Sequence, residues 1–402
     1  MTEDGPLRWS PENAEISRNH PMIKEIRREM IKGIRPSACR VCYTEEDSGI
    51  TSLRNHLISN FNFEPFKNAT NPDGSIDTAS MPLAYLDIRL GNLCNLKCRT
   101  CGPGDSSLWA EDIGELFQQD GKARFDFYGK KGYEISMTPK GWRINSDDFN
   151  YYEDGKFLEW MDEMISKGVE RIYFTGGEPT LSKQHMNILD RIISSNRAST
   201  ISLEYNSNMM AIPPKLYEQW SRFRSIRIGA SIDAIGPLAG YIRHPSRWDL
   251  IERNCDIVGN GLFPNITASI ATTISIFNVR HFPEISKWLV MKKYRNIMRR
   301  SSWHVVHNPP HMSIQCLPWL MKEVIEQEYI QHFEWLRSAL GEIRAAPIID
   351  HYRGIIRFMK MANTTDQLPL LKKTVGAIDR VRKESLESTI PWLASILKNV
   401  PD

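Results

Sequence analysis

The strongest constraint on this chain is one short loop. In GNLCNLKCRTCGPGDSS (91–107), Cys94, Cys98 and Cys101 fall within eight residues of a chain that has seven cysteines in all. Thiolates are soft ligands suited to zinc or to iron–sulfur clusters. Closed zinc sites use four protein ligands, commonly as two Cys-x2-Cys pairs, and no fourth cysteine or histidine lies near this triplet. A cubane of four irons accepts a thiolate at each iron, so three cysteines would hold three and leave the fourth open to a non-protein ligand. By spacing alone, an incomplete zinc knuckle or three incidental thiols stays open as the alternative.

The rest of the composition narrows the setting. A chain of 402 residues, 41% hydrophobic and 25% charged, has enough apolar material for one large domain with additions, or for two. Its net charge of +3 gives no support to nucleic-acid binding driven by bulk charge. The longest apolar runs, such as ITASIATTISIF (266–277), are too short to span a bilayer, so no membrane role is expected. The first residues, MTEDGPLRWSPENAEISRN, lack the basic-then-apolar layout of a signal peptide. The expected location is cytoplasmic. There, an odd number of unevenly clustered cysteines argues for metal or redox chemistry over a disulfide framework.

Three parts are expected along the chain. Residues 1–80 read as a helical segment carrying Cys39-x2-Cys42, with Ile23, Ile26, Met30 and Ile34 on one helix face and Pro36 as the stop. NATNPDGSIDTASMP (68–82) has the turn-rich composition of a linker. Residues 81–310 form strand-then-helix units. The strands are expected in LAYLDIRL (83–90), VERIYF (169–174), STISLEYNSN (199–208), RSIRIGASID (224–233), PNITASIATT (264–273) and SSWHVVHN (301–308). The first helix is expected over 105–119, capped by Asp105 or Ser106. Six such units indicate a parallel sheet, either open or curled into a partial barrel, with the chemistry at the C-terminal strand ends. The cysteine loop, TGGEPT (175–180), NSN (206–208) and SID (231–233) all fall there. Residues 121–152 read as a hairpin-like insertion, and 311–402 as a helical C-terminal extension.

Taken together, Cys94-x3-Cys98-x2-Cys101 after the first strand and Gly176-Gly177-Glu178-Pro179 after the second resemble the radical S-adenosylmethionine (SAM) superfamily. That resemblance implies an α/β fold, a partial (β/α)6 TIM-like barrel. It also implies a 4Fe–4S cluster on the three cysteines, with SAM on the open iron and the Gly-Gly-Glu-Pro turn at its amino group. Electrons would come from a donor such as flavodoxin or ferredoxin. The resemblance further places Asn206 and Asn208 near the ribose, Ser231 and Asp233 near ribose and carboxylate, and Arg243 on that carboxylate. Read from the residues alone, each of these is a cap or turn residue. One position departs from the pattern: Thr100 stands where the family often has an aromatic residue beside the adenine.

The Cys39/Cys42 segment resembles the SPASM/twitch subgroup, which implies an auxiliary iron–sulfur cluster. Two cysteines are few for one, and a zinc-binding pair is the competing reading. Cys255 is expected to pack as a small hydrophobe. Cys316 is either a packed cysteine or a hydrogen-atom donor to a substrate radical. By the same resemblance the substrate is a ribosomally made peptide or protein. The alternatives are a small metabolite or nucleotide, or a non-catalytic iron–sulfur or zinc protein that binds a partner.

Overall fold

The computed structural model describes residues 10–60, 63–78, 81, 83–120, 134–139, 141–145 and 151–401. Eight strands are described: β1 (Tyr85–Arg89), β2 (Glu134–Thr138), β3 (Gly141–Asn145), β4 (Arg171–Thr175), β5 (Ser202–Ser207), β6 (Ser225–Ala230), β7 (Ile266–Ile274) and β8 (Ile297–Val305). Six of them form one parallel sheet in the order β1-β4-β5-β6-β7-β8, curled into a half-barrel.

Alternation along the strands explains the curl. Leu86, Ile88, Ile172, Phe174, Leu203, Ile226 and Ile228 point outward and are buried under the helices. Fully burying each such side chain is worth about 1.5–3 kcal/mol. The intervening residues face inward and are mostly polar. In register across the sheet lie Asp87, Tyr173, Glu204, Arg227 and Thr267. Within this layer Glu204 is paired with Arg227 at 3.3 Å, and with Arg171 at 3.2 Å. Asp87 is exposed on this wall, yet the barrel around its carboxylate displaces part of its solvent and raises its pKa, against the hydrogen bond from Thr175. The sheet thus carries a polar inner wall and an apolar outer one.

Local signals set the helices. Asp154 caps Gly155–Lys167 through the Lys156 amide, and Gly168, at φ +115°, ends it. Ser182 caps Lys183–Ser194 through the His185 amide. The helix after the cysteine loop begins at Trp109, later than the expected 105. The reason is that Asp105 is used elsewhere: it accepts from the Gly102 amide at 3.2 Å and pairs with Arg89 at 2.5 Å, so 102–108 stays a looped turn. The last strand starts at Ile297 and not at 301.

The turn-rich 68–82 stretch is folded back where described. Thr70 and Ile76 form a bridge, Asn19 exchanges two hydrogen bonds with Ile76, and Lys24 pairs with Asp73 at 2.7 Å. Within 121–152, β2 and β3 pair antiparallel, while 121–133, 140 and 146–150 lie outside the described residues. The helix expected over 21–34 runs Pro21–Ile31, and its apolar face is only partly covered: Met30 and Ile34 are exposed. Toward the C-terminus, helices Trp319–Leu340 and Glu342–Met361 form a pair, followed by Leu368–Arg382 and Pro391–Lys398. No described helix is long and apolar enough to cross a membrane.

Candidate functional site

The cysteine loop leaves β1 with its backbone still tied to β4, since the Leu90 amide donates to the Thr175 carbonyl at 3.1 Å. The turn after β4 then docks on it. The Gly177 amide donates to Gly91 O at 3.1 Å, and the Glu178 amide to Leu93 O at 2.7 Å. Two glycines make this approach possible. Gly176 sits at φ +118°, and a Cβ on Gly177 would stand 2.2 Å from the Leu93 carbonyl oxygen. On its other side the loop pairs with the chain after helix Gly236–Ile242: Lys97 N donates to His244 O at 2.6 Å, and Arg99 N to Ile242 O at 2.8 Å.

Glu178 locks the turn from within. Its carboxylate is 2% exposed and accepts from the Asn208 amide at 2.6 Å and the Thr180 hydroxyl at 2.7 Å. Burial raises its pKa, while these donors work in the opposite direction. Asn208 in turn donates to Asn95 Oδ1 at 2.7 Å, inside the cysteine loop. Turn, strand end and loop are thus one hydrogen-bonded unit.

These elements enclose a cavity of about 180 Å³. All three loop cysteines line it, together with Gly176, Gly177, Glu178, Asn206, Asn208, Ser231 and Arg243. Sequence reasoning missed four more lining residues: Leu96, Thr175, Asp105 and Ser106. Thr175 was within reach, since it ends β4 immediately before the glycines. Two expected residues do not line the cavity. Pro179 is buried behind the turn. Asp233 accepts from the Thr273 amide at Oδ1 and from Arg243 at Oδ2, each at 2.8 Å, and so positions Arg243.

Arg243 is the cation of the cavity wall, which also holds Glu178 and Asp105. Burial opposes its charge, but Cys98, Asp233 and Cys101 outweigh that and hold its pKa above the usual arginine value. Its Nε is buried and has no partner among the described residues. Burial pushes the Cys94 thiol up to about 12. The Cys101 thiol hydrogen-bonds Cys98 and brings Cys98 down to about 7 against the effect of burial, while Cys101 itself is raised. A bound metal deprotonates such thiols outright.

The residues present fit a cluster with SAM beside it. Three soft sulfur donors line one cavity, two glycines let the turn after β4 close against the cysteine loop without a Cβ between them, and the Arg243 guanidinium adds a cation to the wall. Among the described residues no three His, Cys, Asp or Glu side chains form a single-ion site. A cubane asks for something different, thiolates placed at separate corners.

The other cysteines differ. Cys39 and Cys42 are half-buried, on a helical turn and the helix Arg40–Asp47 that follows it, and belong to no group of three such ligands among the described residues. Cys316 is buried and is not among the residues lining this cavity, and burial pushes its thiol up to about 12. Cys255 is buried as expected.

A parallel half-barrel with a three-cysteine loop and a glycine-rich turn at its C-terminal rim defines a class of metalloenzyme that activates a bound nucleoside-containing cofactor. This chain belongs to the radical SAM superfamily, whose sequence pattern matches residues 88–289, just over half of it. Superfamily membership implies a 4Fe–4S cluster and SAM, and makes the chain an enzyme. Two curated relatives are GTP 3',8-cyclases. That of Shewanella denitrificans is 23% identical over 206 residues, 51% of this chain and 49% of its own. That of Mannheimia succiniciproducens is 19% identical over 258 residues, 63% of this chain and 64% of its own. The chain therefore spans about half to just under two thirds of the relatives it matches. Among solved structures, Streptococcus suis SuiB bound to S-adenosylmethionine gives a TM-score of 0.34 at 15% identity, over 53% of this chain and 39% of SuiB. Native anSMEcpe with bound AdoMet and Kp18Cys peptide gives 0.40 at 15%, over 64% of this chain and 61% of that one. Those superpositions are too loose to carry a substrate over.

Proposed function

We propose that this enzyme holds a 4Fe–4S cluster on Cys94, Cys98 and Cys101, binds SAM against the Gly176–Pro179 turn, and acts on a peptide or protein. When bound, the reduced cluster supplies the electron that splits the SAM sulfonium into methionine and a 5'-deoxyadenosyl radical, which abstracts hydrogen from substrate. The observation that carries this reading is the convergence of the three thiols, the Gly176-Gly177 turn and Arg243 on one cavity.

The chain's own groups then have distinct tasks. Arg243, oriented by Asp233, sets its guanidinium at the cavity wall for the methionine carboxylate. Glu178 spends both oxygens on Thr180 and Asn208, so the turn meets the ligand chiefly through its backbone. Asn206, Ser231 and Thr175 give the cavity neutral polar groups for ribose hydroxyls. Adenine packing falls to groups other than Thr100. The electron donor belongs to the flavodoxin or ferredoxin class, as befits a reducing cytoplasm.

A peptide is favoured by the shape of the substrate side. Among the described residues the sheet does not close between β1 and β8, and the β2–β3 hairpin, packed on helix Trp109–Asp120, pairs with no further strand. Strand edges of this kind accept an extended peptide by strand addition. Cys39 and Cys42 remain candidates for an auxiliary cluster or zinc. The curated relatives, as GTP 3',8-cyclases, favour a nucleotide as the second reading.

The test is anaerobic reconstitution with iron and sulfide, followed by reductant and SAM. Release of 5'-deoxyadenosine and methionine is expected; a fully loaded cluster that cleaves no SAM refutes the enzyme reading in favour of a non-catalytic partner-binding protein. Adding GTP separates the substrate classes. Conversion of GTP would replace the peptide reading with the nucleotide one.

A further inference from the structure

The cysteine loop carries two basic spacers, Lys97 and Arg99, and both are gripped from the far end of the chain. Arg99 is fully buried. Its Nη2 donates to Asp379 at 2.5 Å and to Glu384 at 2.6 Å, and its Nε to Tyr241 O at 2.9 Å. Arg382 sits beside Lys97, donating from Nη2 to the Lys97 carbonyl at 2.7 Å and from Nε to Asp112 at 2.7 Å. Lys97 Nζ reaches the same Asp112 at 2.5 Å. Glu384 also meets His244 Nδ1 at 2.7 Å, and the His244 carbonyl accepts from the Lys97 amide. Apart from the Arg382–Asp112 pair, each of these contacts has one partner on the Cys94–Cys101 loop or on the segment paired with it.

We infer that Asp379, Arg382 and Glu384 are positioning residues for the cluster, acting through Lys97 and Arg99 on the thiolates of Cys98 and Cys101. The inference rests on the cluster reading proposed above. A loop of eight residues with alternating thiols has no regular hydrogen-bonding of its own, and the wrong spacer conformation would turn a thiol away from the cavity. Anchoring both spacers fixes the loop from behind while its sulfurs face forward. Outer groups of this kind hold ligands in place and tune the metal site.

The same groups set the local charge. Just behind the cysteines, Lys97, Arg99 and Arg382 stand against Asp112, Asp379 and Glu384, with Glu111 also 3.3 Å from Lys97 and His244 against Glu384. Net charge near a cluster is one of the determinants of its reduction potential. Removing one carboxylate makes this group more positive, which stabilises the more negative, reduced cluster.

The experiment uses the full chain, reconstituted anaerobically, as wild type and as Asp379→Asn, Glu384→Gln and Arg99→Lys. Two quantities are read without any substrate: the rate at which a chelator strips iron, and the cluster midpoint potential from a titration followed by electron paramagnetic resonance. Asp379→Asn and Glu384→Gln should each lose iron several times faster and shift the potential to more positive values. Arg99→Lys keeps the charge and loses the fork, so it should lose iron faster with little change of potential. Glu384→Gln lies in the turn past the helix end and keeps the side-chain size, so it decides the matter if Asp379→Asn does not fold. Iron loss and potential both equal to wild type in Glu384→Gln would overturn the inference while leaving the cluster reading intact. A wild-type chain that takes up no cluster would bring down both.

Discussion

Two sets of cysteines in this chain have similar spacing and opposite surroundings. Cys94, Cys98 and Cys101 line a cavity, bordered by a glycine cradle on one side and the 242–244 segment on the other. Cys39 and Cys42 sit half-buried at the start of a short helix. Burial, then the neighbouring Cys42, raises the Cys39 thiol, and the nearest cations are spoken for: Arg54 pairs with Glu46 and Arg35 with Asp47. A thiol becomes a ligand only where further donors and an enclosing shell meet it. The difference between the two sites lies in what surrounds the sulfur, and spacing alone did not carry that.

The largest expected effect tests the contrast directly. Cys94→Ala, Cys98→Ala or Cys101→Ala should abolish the brown cluster and all SAM cleavage, whereas Cys39→Ala or Cys42→Ala should leave both at wild-type levels. Iron analysis sharpens it: about four irons per chain mean one cubane, and about eight mean that the N-terminal pair takes part in a second. Next comes the cradle. Gly177→Ala places a Cβ against the Leu93 carbonyl, and forcing turn and loop apart costs about 1–3 kcal/mol. SAM affinity, measured by calorimetry on the loaded protein, should fall accordingly.

A smaller change is expected for Glu178→Gln. It sets an NH2 group against either the Asn208 amide or the Thr180 side of the carboxylate. Leaving one buried donor unsatisfied costs about 1–3 kcal/mol, which corresponds to about a five- to 150-fold weakening if all of it reaches SAM binding. Wild-type affinity in this variant would mean that the turn holds its shape without the carboxylate.

The mildest probe is acid. His185, against the Tyr205 hydroxyl at 2.9 Å, is lowered to about 3 by burial, and burial lowers His311 and His332 to about 4. The unfolded chain binds these protons at ordinary histidine values while the folded one does not. Their contribution to stability is therefore full above about pH 6.5 and is lost as pH falls toward 4 and below. The melting temperature should drop over that window, and His185→Gln should flatten the drop.

Much of the barrel was legible because its signals are local. Leu86 and Ile88 alternate with Asp87 and Arg89, and the rim motifs follow their strands directly. The cysteine triplet and the glycine turn were likewise readable, each being contiguous. What escaped depends on partners far along the chain. Asp105 looks like a helix cap until Arg89 and Gly102 claim it. Asp233 looks like a ligand group until Arg243 and the Thr273 amide meet its oxygens. Residues 68–82 look like a linker until Asn19 and Lys24 bind them. Nothing in LLKKTVGAIDRVRKE announces a grip on a loop 280 residues earlier.

That last separation bears on how the protein is made. Arg99 meets Glu384 across 285 positions, and synthesis at about 5–20 residues per second needs roughly 15–60 s to cover that stretch. Throughout this interval the nascent loop already carries its three thiols but lacks the carboxylates that hold Arg99. Iron–sulfur delivery to a growing chain would meet an unbraced loop, so productive loading belongs after residue 384 has emerged.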